Sequence, residues 1–335
     1  MTAAMETTTP TPPVRPHGAL VERCPSCQAR VFVDDLTCLR CGAELVFDPA
    51  AGRFSGASPY CIWRNERRCN WAGQAATSGA CMACAGLWVT DSAAGRAELT
   101  AIYAAAIRRT LRRFGDAYRI DPNQADPPLR FQLDLSQDGH PVTIGHANGV
   151  VTLDVAEADT VQLEIQRQTL GEPYRTPLGH VRHESGHWVW AAAVEPDAGE
   201  LERFRALFGD ERADYAAALA SHYDQPDDGW WRGGFVSHYA AAHPWEDFAE
   251  SVAHVLHLDD VLHTAAVGGL LDPSLTTPDA GFDDRYRCWT DLTVELNEMA
   301  RAMGGEDLYP FAPPPPAVDK MRFADDALRR LGSHT

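Results

Sequence analysis

The sequence lacks three features that would assign its class at once: a long apolar run, a hydrophobic leader and an excess of basic residues. No run of about 18 apolar residues occurs, so no membrane span is predicted. The Thr- and Pro-rich N-terminal stretch has no segment typical of a signal peptide, and we therefore expect a cytoplasmic protein. The formal charge of −18 argues against a general nucleic-acid binder, because such proteins displace counterions from phosphate with lysine and arginine.

The length and the uneven composition predict a globular protein of two parts. At 335 residues and 45% hydrophobic composition, the chain can bury a sizeable core and is long enough for two domains. Residues 20–90 carry seven arginines against six acidic residues, so nearly all of the excess negative charge lies downstream. Residues 1–22 are rich in Thr, Pro and Ala without periodicity, which predicts a disordered tail.

The first four cysteines predict a structural zinc site. Two Cys-x-x-Cys pairs are separated by ten residues, and the segment 29–33 between them can form a strand, as in a zinc ribbon. Each pair presents two sulfurs at ~2.3 Å from one Zn²⁺, and two pairs complete a tetrahedron. The alternative is two redox-active dithiols, which need a thioredoxin-like βαβ context that residues 23–47 cannot supply. The four residues are Cys24, Cys27, Cys38 and Cys41.

The next four cysteines predict a second, less regular zinc site. They are Cys61, Cys69, Cys81 and Cys84, and they complete a double zinc ribbon over residues 23–90. The alternative is a looser loop with two unpaired thiols. A closed Cys₄ site is structural, because no coordination position stays open for hydrolysis. Eight of nine cysteines thus need reduced thiolates, in agreement with a cytoplasmic protein, and Cys288 is predicted to be a buried core residue.

A predicted helix in the middle of the chain carries a metal-binding pattern. Thr176 and Pro177 are a helix-start signal, and the helix extends to about residue 194. His183 and His187 are four residues apart and point the same way, while Glu184 lies about 100° around the axis. In zinc hydrolases this pattern holds Zn²⁺ with two imidazoles, and the glutamate takes the proton from its water. The pattern alone also occurs by accident among histidines that bind nothing.

The elements before this helix predict a small mixed sheet. Segments 131–135 and 149–154 alternate apolar and polar residues and are predicted strands, and 157–170 is a predicted helix. This order is expected of a zincin, where an edge strand above the site can pair with an extended substrate. Segment 149–154 is predicted to be that edge, and Val161, Ile165 and Leu170 are predicted to point inward.

Two further segments leave alternatives open. A predicted helix at 93–115 carries a basic face that is either solvated or docked on acidic neighbours, and this face consists of Arg108, Arg109, Arg112 and Arg113. The adjacent Trp230 and Trp231 either line a substrate cleft or fill the core.

The second half of the candidate site lies on a helix that begins after His243. Glu246 and Glu250 are one turn apart, and two such carboxylates repel each other unless a cation or histidine lies between them. One interpretation is a solvated acidic strip. In the other, Glu246 is the third zinc ligand and Glu250 accepts a hydrogen bond from the far nitrogen of a ligand histidine.

These motifs resemble a known family. The His183-Glu184-x-x-His187 pattern, followed 59 residues later by Glu246 and then Glu250, resembles the gluzincin metallopeptidases, whose third ligand is a glutamate with an acidic residue one turn later. More narrowly, the chain from Cys24 to Leu331 resembles bacterial zinc-binding metallopeptidases with an N-terminal zinc-ribbon domain. The stretches that carry this resemblance are 171–187, 207–215, 243–250 and 307–311.

The resemblance implies roles for individual residues but no particular substrate. It implies a catalytic zinc on His183, His187 and Glu246, with Glu184 as general base. Tyr239, seven residues before Glu246, matches the tyrosine that stabilises the oxyanion in similar gluzincins, and His243 is the alternative. Glu250 and His180 are expected to support these residues without binding the metal. A catalytic zinc keeps one coordination position open, and His180 as a fourth ligand would close it.

We therefore predict an α+β protein with a double zinc ribbon at 23–90 and a mostly helical, zincin-like domain with a small sheet at 91–335. The predicted activity is hydrolysis of peptide bonds with one catalytic zinc and up to two structural zincs. One alternative is a non-catalytic adaptor whose ribbons bind a protein or a nucleic acid. Another is a hydrolase of a different amide or ester, which uses the same zinc chemistry. A peptide or protein substrate is the expected partner.

Overall fold

The computed structural model describes residues 21–137, 140–170, 175–224, 228–277 and 279–334. The predicted disordered tail lies outside these residues, except that Val21 and Glu22 belong to the first strand. The strands are β1 (Val21–Arg23), β2 (Arg30–Phe32), β3 (Val46–Asp48), β4 (Arg53–Ser55), β5 (Leu87–Val89), β6 (Arg130–Asp134), β7 (Gly145–Ala147) and β8 (Val150–Asp154). The helices are α1 (Met82–Ala85), α2 (Asp91–Ala94), α3 (Ala97–Tyr118), α4 (Thr160–Leu170), α5 (Pro177–Ala193), α6 (Ala198–Phe208), α7 (Tyr215–Asp224), α8 (Pro244–Gly268), α9 (Phe282–Ala302) and α10 (Pro315–His334).

Helices dominate the fold, and the strands form small sheets, so the predicted α+β class is confirmed. In the described residues, β1 pairs with β2 and β3 with β4, both antiparallel, while the other four strands form one sheet in the order β5-β6-β8-β7. Strand β5 joins this sheet although it lies inside the predicted ribbon module. The predicted division at residue 90 stays a prediction. None of the described helices combines the length and apolar content needed to cross a membrane.

The edge strands of this sheet are β5 and β7, so the prediction that segment 149–154 forms an edge is wrong. Strand β8 lies between β6, to which it is parallel, and β7, to which it is antiparallel. Asn148 and Gly149 both have positive φ, of 50° and 81°, which makes the two-residue turn that folds β7 against β8. A Cβ at Gly149 would lie 2.5 Å from the carbonyl oxygen of Pro128, so this tight turn requires glycine.

Helix α4 contradicts the predicted inward face of segment 157–170. Val161 is 65% exposed and Ile165 is 52% exposed, while the side chain of Leu170 lies outside the described set. Periodicity shows which residues share a helix face, but it does not show that another element covers that face. Cys288, predicted to be buried, is half-buried on α9.

The basic face of α3 is docked inside the molecule. Arg108 is buried and donates to the carbonyl oxygens of Arg67 and Arg68, and the Arg112 guanidinium lies 4.3 Å from the centre of the Phe47 ring. These contacts place the cysteine-rich segment directly against α3. On another side, Asp260 of α8 accepts from Arg109 at 2.8 Å and from Arg182 of α5 at 2.5 Å. Helix α3 therefore joins the cysteine-rich segment to the two central helices. The arginines of its basic face contact carbonyl oxygens and an aromatic ring as well as the expected carboxylates.

The two central helices, α5 and α8, run antiparallel and pack very closely. Gly179 lies near His257, while Gly186 lies against Ala249. A Cβ at Gly186 would lie 2.8 Å from the Cα of Ala249 and 3.2 Å from the Cβ of Val252, closer than van der Waals contact allows. The glycine between the two pattern histidines therefore sets the distance between α5 and α8.

We expect Gly186→Ala to lower the free energy of unfolding by about 1–2 kcal/mol, measured by urea unfolding. Overpacking against backbone costs about 1–3 kcal/mol, which outweighs a helix-propensity gain of up to about 1 kcal/mol. The matched control is Gly115→Ala in α3, where nothing lies within 4 Å of an added Cβ, so that this variant is expected to gain stability. A Gly186→Ala protein as stable as the control would show that the helices are not held at this spacing.

Candidate metal centre

Two clusters of four cysteines have the shape of tetrahedral metal sites. The distance from Cys24 Sγ to Cys41 Sγ is 3.7 Å, as is that from Cys27 Sγ to Cys38 Sγ. In the second cluster, Cys69 Sγ and Cys81 Sγ are 3.6 Å apart. A disulfide would bring two sulfurs to about 2.05 Å. Four sulfurs bound to one zinc at ~2.3 Å lie ~3.8 Å apart, so the observed spacings fit a shared ion.

The third cluster joins α5 to the first turn of α8. His183 Nε2 lies 2.9 Å from Glu246 Oε2, and His187 Nε2 lies 3.5 Å from the same oxygen. Zinc bonds of ~2.0–2.1 Å in a tetrahedron place ligand atoms ~3.4 Å apart. All three residues are buried, and their ligand atoms lie within 4.8 Å of one another. Two imidazole nitrogens and a carboxylate oxygen are a donor set that suits zinc, so these residues fit the ion.

Hydrogen bonds hold the side chains of this cluster in place. His183 Nδ1 lies 2.8 Å from Glu250 Oε1, and Glu250 Oε2 accepts from Ser237 Oγ at 2.6 Å. Burial alone would raise the pKa of Glu250, but the hydrogen bond and charge of His183 lower it to about 2, so the carboxylate is ionised. His183 therefore donates from Nδ1 to Glu250, which leaves Nε2, beside Glu246 Oε2, as the nitrogen that would bind an ion. On the other side, the Tyr215 hydroxyl donates to Glu246 Oε1 at 2.8 Å.

Glu184 is buried beside the cluster and contacts His180 instead of the cluster atoms. Its Oε1 lies 3.3 Å from His180 Nε2, and its Oε2 has no hydrogen-bond partner among the described residues. His180 Nδ1 lies 2.6 Å from Glu157 Oε2, and Arg175 donates to the other oxygen of Glu157. Burial alone would lower the pKa of His180, but Glu157 and Glu184 raise it to about 9. His180 is therefore cationic at neutral pH and faces two carboxylates.

The two candidates for oxyanion stabilisation occupy different places. Tyr239 lines the cavity beside the cluster, and its ring centre is 5.6 Å from that of His183. His243 is the N-cap of α8: its Nδ1 accepts from the backbone N–H of Trp245, and its Nε2 lies 3.2 Å from the carbonyl oxygen of Ala213. Both nitrogens of His243 are thus engaged by backbone. Of the two candidates, Tyr239 is the one at the cavity.

A cavity of about 700 Å³ opens over the cluster between α5, α8, β7 and the turn Trp230–Gly233. Trp231 lines it, with the Arg232 guanidinium 4.8 Å from the Trp231 ring centre. Trp230 is 49% exposed and packs edge-on against Phe235 instead. The predicted cleft lining therefore applies to one tryptophan of the pair.

Comparisons with known proteins agree with this site. A family model described as "Putative zinc-binding metallo-peptidase" matches residues 104–327, more than half of the chain. The chain belongs to this family. It is 39% identical over 319 residues to "Uncharacterized protein Rv2568c" of Mycobacterium tuberculosis (strain ATCC 25618 / H37Rv) and equally to "Uncharacterized protein Mb2598c" of Mycobacterium bovis. Each match covers 90% of this chain and 92% of the relative. No solved structure matches the chain.

Membership of this family confirms the resemblance found in the sequence. The matched range contains the whole His183, His187 and Glu246 cluster and excludes both cysteine clusters. A zinc-binding family and the three clusters together support zinc as the cofactor. The role of each residue stays a prediction.

Several site residues were missed by sequence reasoning. Tyr215 lies in one of the stretches that carry the family resemblance, yet it is 31 residues before Glu246 and no spacing rule connects the two. Glu157 begins the predicted helix 157–170 without an assigned role, and His146 lies outside every predicted strand and helix. Each reaches the site by tertiary packing, which leaves no local periodicity in the sequence. Because the Asn-Gly pair after Ala147 is a hairpin signal, the position of His146 on an edge strand could have been found.

Proposed function

We propose that this member of the zinc-binding metallopeptidase family is a zinc-dependent hydrolase that cleaves peptide bonds. The observation that carries the proposal is the position of Glu184. This buried carboxylate has one oxygen on His180 and a second oxygen without a partner among the described residues, and it adjoins three converging ligand atoms. A scaffold protein has no use for an ionised carboxylate held beside a metal site.

His183, His187 and Glu246 would hold the catalytic zinc, with Glu250 and Tyr215 fixing the orientation of His183 and Glu246. When bound there, Zn²⁺ supplies Lewis-acid activation of a water and of the scissile carbonyl. With three protein ligands, one coordination position stays open for substrate or water.

Glu184 would act as the general base. Burial by itself raises the pKa of Glu184, whereas the hydrogen bond from His180 and the charges of His187 and His183 lower it, so the carboxylate is ionised and can accept a proton. It would then pass that proton to the leaving amine. Tyr239, which lines the same cavity, would stabilise negative charge on the substrate carbonyl oxygen.

The two cysteine clusters would each hold one structural zinc, which makes up to three zincs per chain. Four thiolates close the coordination sphere, so these ions would support the fold and not hydrolysis. Eight reduced thiolates favour a cytoplasmic site of action. The docking of Arg108 and Arg112 on the cysteine-rich segment favours a role for the ribbons in supporting α3, and their exposed parts would be free to contact a protein partner.

The proposal is tested by incubating the zinc-loaded full chain with a peptide library and following cleavage by mass spectrometry. We expect cleavage that stops on chelation with 1,10-phenanthroline and returns when zinc is added back. Zinc-dependent hydrolysis of simple esters or amides, without peptide cleavage, would instead support the broader hydrolase. A fully zinc-loaded chain that hydrolyses none of these substrates would favour the adaptor.

A further inference from the structure

We propose that His146, on edge strand β7, donates a hydrogen bond from Nδ1 to the carbonyl oxygen of the scissile peptide bond. The proposal rests on the peptide-hydrolase function proposed above and adds a catalytic residue to it. Neither the zinc-binding pattern nor the glutamate motif includes His146, which precedes His183 by 37 residues.

The fold brings His146 to the same cavity as the metal cluster. Gly145 and His146 of β7 line this cavity together with His183, Glu184 and Glu246. Burial of the ring disfavours its charged form and lowers the pKa of His146 to about 4. The ring is therefore neutral at neutral pH.

The hairpin turn fixes which nitrogen of His146 carries the proton. The backbone N–H of Gly149 donates to His146 Nε2 at 3.1 Å, so that Nε2 is an acceptor and the neutral ring is protonated on Nδ1. The turn holds the Gly149 N–H in place, because the positive φ of Asn148 and Gly149 and the close approach of Gly149 to Pro128 leave the turn backbone little conformational freedom. Among the described residues, no acceptor for Nδ1 is found.

A neutral ring with a fixed N–H donor, on a residue that lines the cavity, is suited to stabilise charge that develops on a carbonyl oxygen. Such a donor needs no reorganisation during the reaction. A cationic ring would compete with zinc for the carboxylates of the site, whereas a neutral ring does not. An edge strand also offers unpaired backbone groups to an extended substrate, which would bring a substrate carbonyl alongside β7. His146 would therefore act together with Tyr239 on the same oxygen.

Three variants separate a donor to substrate from a residue that only holds the turn. His146→Ala removes both functions. His146→Asn keeps an N–H donor at the position of Nδ1 but cannot reach Gly149, whereas His146→Gln keeps an acceptor near the position of Nε2 and has no donor at Nδ1. We expect His146→Ala and His146→Gln to lower kcat about 10²-fold with KM nearly unchanged, and His146→Asn to recover most of the loss.

Two measurements do not depend on turnover. Zinc per chain is expected to be the same in all four proteins. In the zinc-loaded wild type with ¹⁵N-labelled histidine, the His146 resonance, assigned by its absence from His146→Ala, is expected to show a neutral ring protonated on Nδ1 at pH 7. Protonation on Nε2 would overturn the proposal.

The kinetic outcomes are equally decisive. Recovery of kcat by His146→Gln but not by His146→Asn would mean that His146 only holds the turn. A wild-type kcat in His146→Ala would mean that His146 takes no part in the reaction. The proposed function would stand in both cases. A zinc-loaded wild type that cleaves no peptide would overturn the proposed function and this inference together.

Discussion

Replacing Glu184 by glutamine is expected to lower kcat for peptide hydrolysis by about 10²–10⁴-fold, the range typical of losing a general base. Glutamine has the same shape and can still contact His180, but it cannot accept a proton. Zinc content is expected to be unchanged, because the converging ligand atoms belong to His183, His187 and Glu246 and not to Glu184. Elemental analysis and peptide-cleavage kinetics on the same preparation measure both effects.

The matched control is Glu164→Gln on α4, an exposed glutamate whose contacts are with Arg167 and Gln168. This variant makes the same chemical change away from the cavity and is expected to keep full activity. Full activity in the Glu184 variant as well would remove Glu184 from the proton transfer and with it the proposed mechanism.

The parts of the site that could be predicted from the sequence are those within one helix. The four-residue spacing of His183 and His187 and of Glu246 and Glu250 fixes a shared helix face, and Thr176 is the N-cap that the sequence indicates, with its hydroxyl accepting from Gly179 N–H at 2.9 Å. Such relations depend on backbone geometry alone, so they survive any tertiary arrangement.

Relations between elements could not be predicted in this way. The contact of Tyr215 with Glu246 and that of His180 with Glu157 join residues 31 and 23 positions apart, and each depends on how whole helices pack. The family resemblance paired His183 with Glu246, but it carried no partner for His180. Gly186 shows the same limit, because a glycine that only weakens a helix in the sequence turns out to set the distance between α5 and α8.

The predicted edge strand was wrong for a related reason. Strand β8 has a visible alternating pattern, whereas β7 is three residues long and too short for one. The hydrogen-bonding order of a sheet depends on turns as well as patterns, and the Asn148-Gly149 turn adds β7 outside β8. This places His146, rather than a residue of segment 149–154, on the strand next to the cavity.

Removing the third ligand is expected to have the largest effect on metal binding. Glu246→Ala, purified without added metal, is expected to hold two zincs per chain where the wild type holds three, one for each converging cluster. Without Glu246, only His183 and His187 remain as protein ligands, one fewer than the three that hold a catalytic zinc. Peptide cleavage is expected to disappear with this zinc, while the cysteine clusters keep theirs.

Tyr215→Phe tests whether the cluster is built as the hydrogen bonds indicate. Loss of the 2.8 Å bond to Glu246 Oε1 leaves all three ligands in place, so we expect three zincs at saturation but about 10–100-fold weaker binding at one of them. Tyr286→Phe on α9 is the matched control and is expected to bind zinc as the wild type does.

Two zincs per chain in both wild type and Glu246→Ala would mean that only the cysteine clusters are loaded. The metal at the His183, His187 and Glu246 site would then be absent, and a non-catalytic adaptor would be the better explanation of the fold.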